Sequence, residues 1–257
     1  MTTAATAVEM RKLTGSIAAE VSGVDLNNVD DATFQTIRSA ILEYGVLVFR
    51  DQDLTPESHK AFGMRFGPLH THPAAPGPEG HPEILLLRNA GKDQTITEVW
   101  HSDVTCEKCP PSLSILRALE LPDYGGDTIW ANQYLAYDRL SQGLRRMVEG
   151  MRAVHAAFGL EATHPVVRTH PESGRKALFV NAGFTRHFED MSPAESQPFL
   201  RLLIEAATTP DLCYRHQWKV GDVVMWDNRG VMHYGVHDYA NQPRVMHRVT
   251  VQGDEPG

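Results

Sequence analysis

In the segment WHSDV, His101 and Asp103 stand one residue apart in an apolar frame. On a β-strand they would face the same way, because successive side chains alternate sides, and Ser102 would point to the other face. An imidazole and a carboxylate on one rigid element make the first half of a metal site. The tripeptide alone is weak: with 13 histidines in 257 residues, chance supplies about one such match. A third donor comes from GDVVMWDNRGVMHYGVHDY, where His233 lies just beyond a β-rich run and His237 competes with it. Two histidines and one carboxylate fill three positions of an octahedron and leave three open, the arrangement of non-haem Fe(II) oxygenases. Ligation needs neutral imidazoles and an ionised aspartate, which the ordinary pKa values permit near neutrality.

A second constellation lies in PRVMHRVTV. Read as a strand, it puts Arg244, Met246 and Arg248 on one face. Guanidinium groups that point into a barrel need anionic partners, and a carboxylate or sulfonate ligand supplies one bidentately. The competing reading is two arginines on a solvated face, the usual place for this residue. A third motif, CEKC, gives a C-x-x-C pair, Cys106 and Cys109. With one further cysteine, Cys213, in the chain, neither a disulfide framework nor a four-ligand zinc site is complete, so free thiols are expected.

These residues must be positioned by a scaffold, and strand-like runs recur: GVLVFR (45–50), EILLLRN (83–89), SLSILRALEL (112–121), ALFVNA (177–182), DVVMWDN (222–228) and PRVMHRVTV (243–251). Each is short, rich in Val, Ile and Leu, and bounded by Gly, Pro, Asp or Asn. Helices are expected over 31–44, with Phe34, Ile37 and Ile41 on one face. A second is expected over 132–148, capped by Asn132, with Leu140, Leu144 and Met147 on one face. A third starts at SPAE, with Ser192 as cap, Pro193 first and Glu195 closing a capping box, and a shorter one starts at TPES. The stretch HTHPAAPGPEGHP (70–82) reads as the longest loop. Many strands with few helices imply a mainly β jelly-roll-like barrel rather than alternating β-α units.

Bulk properties set the outer bounds. At 42% hydrophobic, residues 1–257 have material for one large domain. A net charge of -8 and a pI near 5.9 argue against nucleic acid or an anionic membrane as the main partner. The N-terminal MTTAATAVEMRKL lacks the basic start and apolar run of a secretory signal, and no run is long enough to span a bilayer, so a cytoplasmic protein is expected.

Taken in order, WHSDVTCEKCPPSLSILRALELPDYGGDTIWAN, HPVVRTHPESGRKALFVN, WDNRGVMHY and RVMHRVTV resemble the TauD/TfdA (taurine dioxygenase) family. RDQDLTPE and RFGPLHTHP extend the likeness over nearly the whole chain. The resemblance implies a double-stranded β-helix (jelly roll, cupin-like) that uses Fe(II), 2-oxoglutarate and O2 and releases succinate and carbon dioxide. It implies iron ligation by His101, Asp103 and His233 rather than His237. It further implies that Thr128 and Arg244 hold 2-oxoglutarate, and that His72, the backbone of Val104 and Arg248 meet the substrate's anionic group. The residues that would hold taurine's ammonium, a tyrosine and an asparagine, are replaced by Ala75 and Thr97. A small organic anion with an apolar body is therefore expected, an alkyl sulfonate, alkyl sulfate or aryloxyalkanoate, together with assembly into a dimer or tetramer. Two other classes share part of the constellation, a metal-dependent hydrolase and a non-catalytic jelly-roll binding protein. Neither needs a preserved 2-oxoglutarate pocket, so Thr128 and Arg244 discriminate.

Overall fold

The runs VLVF and VVMW lack the polar–apolar alternation of a half-exposed strand, because both faces of their sheet are buried. In the computed structural model, which describes residues 8–73, 75, 77–89 and 96–257, Val46–Phe49 and Val223–Asp227 are fully buried. They lie side by side in a seven-stranded sheet of order Glu9–Lys12, Ala19–Ser22, Val46–Phe49, Val223–Asp227, Leu113–Glu120, Arg244–Val251 and Ile84–Asn89. Neighbours are antiparallel except Ala19–Ser22 on Val46–Phe49. Residues such as Leu47, Phe49, Ile115, Met225 and Val251 leave one face and pack on helix Asp31–Tyr44 through Ile37 and Ile41. From the other face Val46, Val48, Leu116, Val224, Trp226 and Met246 pack on Trp130 and Val231. Each apolar side chain buried in this way contributes roughly 1.5–3 kcal/mol.

Trp130 and Val231 belong to a facing three-stranded sheet of order Cys213–His216, Thr128–Asn132, Val231–Gly235. The two sheets are the halves of the double-stranded β-helix, and the candidate metal ligands project between them. A third sheet has the order Thr185–Phe188, Arg152–Ala157, Leu160–Pro165. Helix Pro193–Ala207 and the helices around residue 140 cover the rest with a separate apolar cluster containing Leu140, Leu200 and Leu203.

Local signals set the helix ends. Asp30 accepts from the Thr33 amide, and Gly45 ends that helix at φ 70°, a left-handed conformation that glycine adopts without a Cβ clash. Thr55 and Ser192 each form a complete capping box with proline in the first turn. The helix expected over 132–148 is instead two, Gln133–Arg139 and Gln142–Val148. Leu140 takes an extended ψ of 141° and Ser141 caps the second helix by accepting from the Leu144 amide. The new axis leaves Met147 58% exposed, so it is not on a buried face. In ALFVNA only the first part is a strand, Lys176–Leu178. Among the described residues no helix is long and apolar enough to cross a membrane. The N-terminal residues read above for a targeting signal lie mostly outside the described part of the chain.

Candidate metal centre and anion pocket

The WHSDV segment is not a strand. His101 forms one antiparallel bridge with His233, and residues 103–106 turn away. The bridge is reciprocal, His101 N–H to His233 C=O at 3.0 Å and the reverse at 2.7 Å. It brings the two rings to a centroid distance of 4.0 Å. Asp103 reaches them through the turn: its Oδ1 lies 3.9 Å from His101 Nε2 and 3.8 Å from His233 Nε2. One ligand atom from each residue falls within 4.8 Å of the others, and all three residues are buried. His237 goes elsewhere, with Nδ1 2.6 Å from Glu98 and its ring stacked on Tyr239.

The protonation states suit a divalent cation. Burial is the largest influence on both imidazoles and holds them below the ordinary histidine range, His233 furthest. For Asp103 burial alone would raise the pKa. The Arg248 guanidinium, the two imidazoles and the Ser114 hydroxyl outweigh it and hold the carboxylate low. Two neutral nitrogens and one ionised oxygen are therefore presented together. His101 donates Nδ1–H to Val99 C=O at 2.8 Å, which leaves Nε2 available to ligate. The donor set fits a first-row divalent metal with three positions left open.

Gly183 sets how close the neighbouring loop comes. A Cβ there would sit 2.9 Å from His101 Cβ, closer than carbon atoms tolerate. Gly183→Ala is expected to displace His101 and weaken metal binding about tenfold, the scale seen when ligand orientation is lost. Gly143→Ala, where a Cβ meets only Ser141 Oγ at 3.9 Å, should leave it unchanged. Equilibrium Mn(II) titration of the two variants checks this, and equal affinities would refute it.

Arg244 and Arg248 project from one face of strand Arg244–Val251, and both are buried, so the solvated-face reading does not hold. Arg244 Nε donates to Gly126 C=O at 3.0 Å. Gly126 sits at φ 71°, and a Cβ on it would meet Arg244 at 3.2 Å, so the turn before Thr128 is shaped to seat the guanidinium. Thr128 is buried, and its hydroxyl accepts from Trp218 Nε1 at 3.0 Å. An indole N–H only donates, so the Thr128 hydroxyl proton points away from Trp218.

Arg248 Nη1 donates to Asp103 Oδ1 at 2.5 Å, which puts a fixed positive charge beside the candidate metal position. A cavity of about 300 Å³ opens there, lined by His101, Asp103 and Arg248 together with apolar Leu85, Phe158 and Phe184. His72, Ala75, Thr97 and Val104 line the same cavity. Burial first, and Arg248 second, push His72 down to about 4, so it is a neutral imidazole at pH 7. Val104 adopts φ 46°, strained for a β-branched residue, and such strain collects at functional sites. Phe158 and Phe184 were not singled out from sequence. Phe158 stands at the tip of the hairpin between Arg152–Ala157 and Leu160–Pro165, with its ring 5.5 Å from His72. Cys106, buried, and Cys109, exposed, are free thiols.

A jelly roll that gathers two histidines, an aspartate and two buried arginines at one end of its barrel defines a class, and comparison with known proteins gives the family. The profile described as taurine catabolism dioxygenase TauD, TfdA family matches residues 9–250, and the chain belongs to that family. It is 37% identical to an alkylsulfatase of Acinetobacter baylyi, over 96% of this chain and 86% of that protein. It is 34% identical to an alpha-ketoglutarate-dependent sulfate ester dioxygenase of Pseudomonas putida, over 97% and 91%. The crystal structure of a taurine dioxygenase from Burkholderia xenovorans superposes with a TM-score of 0.90 at 39% identity, covering 97% of this chain and 90% of that one.

Proposed function

We propose that the protein is an Fe(II)- and 2-oxoglutarate-dependent dioxygenase that oxidises a small organic anion with an apolar body. Alkyl sulfates, alkyl sulfonates and aryloxyalkanoates are the substrate classes. The observation that carries this reading is that one cavity brings His101, Asp103 and Arg248 together with the apolar side chains Leu85, Leu87, Phe158 and Phe184.

In this reading His101, Asp103 and His233 hold the metal. Dioxygen activation, coupled to oxidative decarboxylation of 2-oxoglutarate to succinate and carbon dioxide, is the chemistry that Fe(II) supplies when bound. Arg244, seated by Gly126, pairs with the distal carboxylate of 2-oxoglutarate, and Thr128 donates to the same cosubstrate with the proton that Trp218 leaves free. Arg248 pairs with the substrate's anionic group, to which His72 donates as a neutral imidazole beside the Val104 backbone. Leu85, Phe158 and Phe184 bury the apolar body and keep water from the oxidised carbon. With an alkyl sulfate, hydroxylation at the carbon bearing the ester oxygen yields an adduct that breaks its C–O bond to give an aldehyde and sulfate. The alkylsulfatase and sulfate ester dioxygenase relatives support this branch.

Taurine is expected to be a poor substrate despite the likeness to a taurine dioxygenase. Ala75 offers an ammonium no partner and Thr97 at most one hydroxyl. An ammonium buried short of partners costs more than the about 1–3 kcal/mol of a neutral polar group, so a fall in kcat/KM of roughly 10-fold or more is expected. Succinate release with taurine, hexyl sulfate, hexanesulfonate and phenoxypropionate measures it. If taurine gave the highest kcat/KM, the apolar-body assignment would fall while the cosubstrate assignment stood.

A further inference from the structure

Asp103 carries two oxygens with different surroundings. Oδ1 faces His101 Nε2 and His233 Nε2 at 3.9 and 3.8 Å and accepts from Arg248 Nη1 at 2.5 Å. Oδ2 accepts a 2.6 Å hydrogen bond from Ser114 Oγ. Ser114 is in strand Leu113–Glu120, and its hydroxyl in turn accepts from Asn228 Nδ2 at 2.9 Å. Asn228 Oδ1 accepts from Trp226 Nε1 at 2.9 Å and from the Asp103 backbone N–H at 3.2 Å. Ser114, Asn228, Trp226 and Asp103 are all at most 2% exposed, so water cannot replace any link.

The direction of every bond in this chain follows from chemistry. An indole N–H and a backbone N–H can only donate, and both meet the same atom of Asn228, so that atom is the amide oxygen. The other atom is then NH2, and it donates to Ser114 Oγ. Ser114 has one hydroxyl proton, and the ionised Asp103 carboxylate is acceptor-only, so that proton is committed to Asp103 Oδ2. Asn228 also binds the backbone of Asp103, and so fixes the main chain and, through Ser114, the carboxylate plane of the same residue.

We propose that Ser114 and Asn228 are positioning residues that let Asp103 present one oxygen, Oδ1, to the metal and hold the other away. The proposal rests on the reading of His101, Asp103 and His233 as a metal site. A carboxylate with both oxygens free can take two positions on a cation, as bidentate carboxylates do. Three facial donors leave three positions, and 2-oxoglutarate and dioxygen together need all three. A second Asp103 oxygen on the metal would therefore compete with the cosubstrate while binding the metal no less well. The Ser114–Asn228 pair prevents that exchange.

The sign of this effect separates it from a loss of structure. Wild-type, Ser114→Ala and Asn228→Asp proteins are freed of metal and titrated with Mn(II) alone. The Mn(II)-loaded forms are then titrated with 2-oxoglutarate by calorimetry, without turnover. Asn228→Asp keeps the shape but has no proton to give Ser114, so the serine hydroxyl turns to the new carboxylate and leaves Asp103 Oδ2. Both variants are expected to keep Mn(II) affinity within about threefold of wild type or to tighten it, and to bind 2-oxoglutarate about tenfold or more weakly, on the scale of outer-shell effects. In the double variant the losses should not add, because either change breaks the same chain. Unchanged 2-oxoglutarate affinity in both single variants would overturn the proposal. So would parallel losses of Mn(II) affinity, 2-oxoglutarate affinity and melting temperature, which mark a purely structural role. Wild-type protein that failed to bind Mn(II) would overturn the metal-site reading itself, and is told apart because it needs no variant.

Discussion

Asp103→Ala is expected to abolish turnover and to weaken metal binding by more than about 100-fold, beyond the 10–100-fold typical of outer-shell changes. The reason is that it removes the one anionic donor from three buried ligands whose atoms lie within 4.8 Å of each other. It also leaves Arg248 facing two imidazoles with its carboxylate partner gone, and an uncompensated buried charge is strongly destabilising. A drop in melting temperature should therefore accompany the metal loss. His101→Ala and His233→Ala should lose metal binding and turnover too, without a stranded charge and hence with a smaller thermal shift. His237→Ala should retain metal, since that ring pairs with Glu98 and stacks on Tyr239. Mn(II) titration and succinate assays on the four variants read all of this at once. Metal retained by His233→Ala and lost by His237→Ala would refute the ligand set.

The two buried arginines should fail differently. Arg244→Ala is expected to raise the KM for 2-oxoglutarate by roughly 10- to 150-fold, because a charge-assisted bidentate pair is lost and the remaining carboxylate is left short of partners, at about 1.5–3 kcal/mol. Its KM for the prime substrate should change little. Arg248→Ala should raise the KM for the prime substrate while substrate-independent consumption of 2-oxoglutarate continues. The geometry behind this split is that Arg244 is bound to Gly126 beside Thr128, whereas Arg248 lines the apolar cavity and touches Asp103. Matching kinetic defects in the two variants would remove the division of roles.

What the sequence by itself determined was local or pairwise. The cap at Ser192 needs only residues within one turn of each other and formed as read, and a helix starts at TPES as expected. Alternation along PRVMHRVTV was enough to put Arg244 and Arg248 on one face, because period two is a property of any strand. Short apolar runs such as VLVF and VVMW announced strands, and ordered blocks across the chain announced the family.

Tertiary structure decided the rest. His101 and Asp103 converge through a bridge and a turn rather than along a strand, an outcome that depends on where His233 pairs with His101. The helix at 132–148 broke because Ser141 could cap a second helix once Leu140 was drawn into the core, and helical spacing does not encode that competition. Ser114 read as an ordinary strand residue. Only the register that sets Ser114 opposite Trp226 and Thr250 turns it inward, beside Asn228 and the second oxygen of Asp103. A polar residue at an inward position of a central strand was the one visible signal, and it could not be used until pairing showed which face was inward. Periodicity fixes which side chains share a face. Register between distant strands fixes which faces meet, and hydrogen bonds a few ångströms long depend on the second.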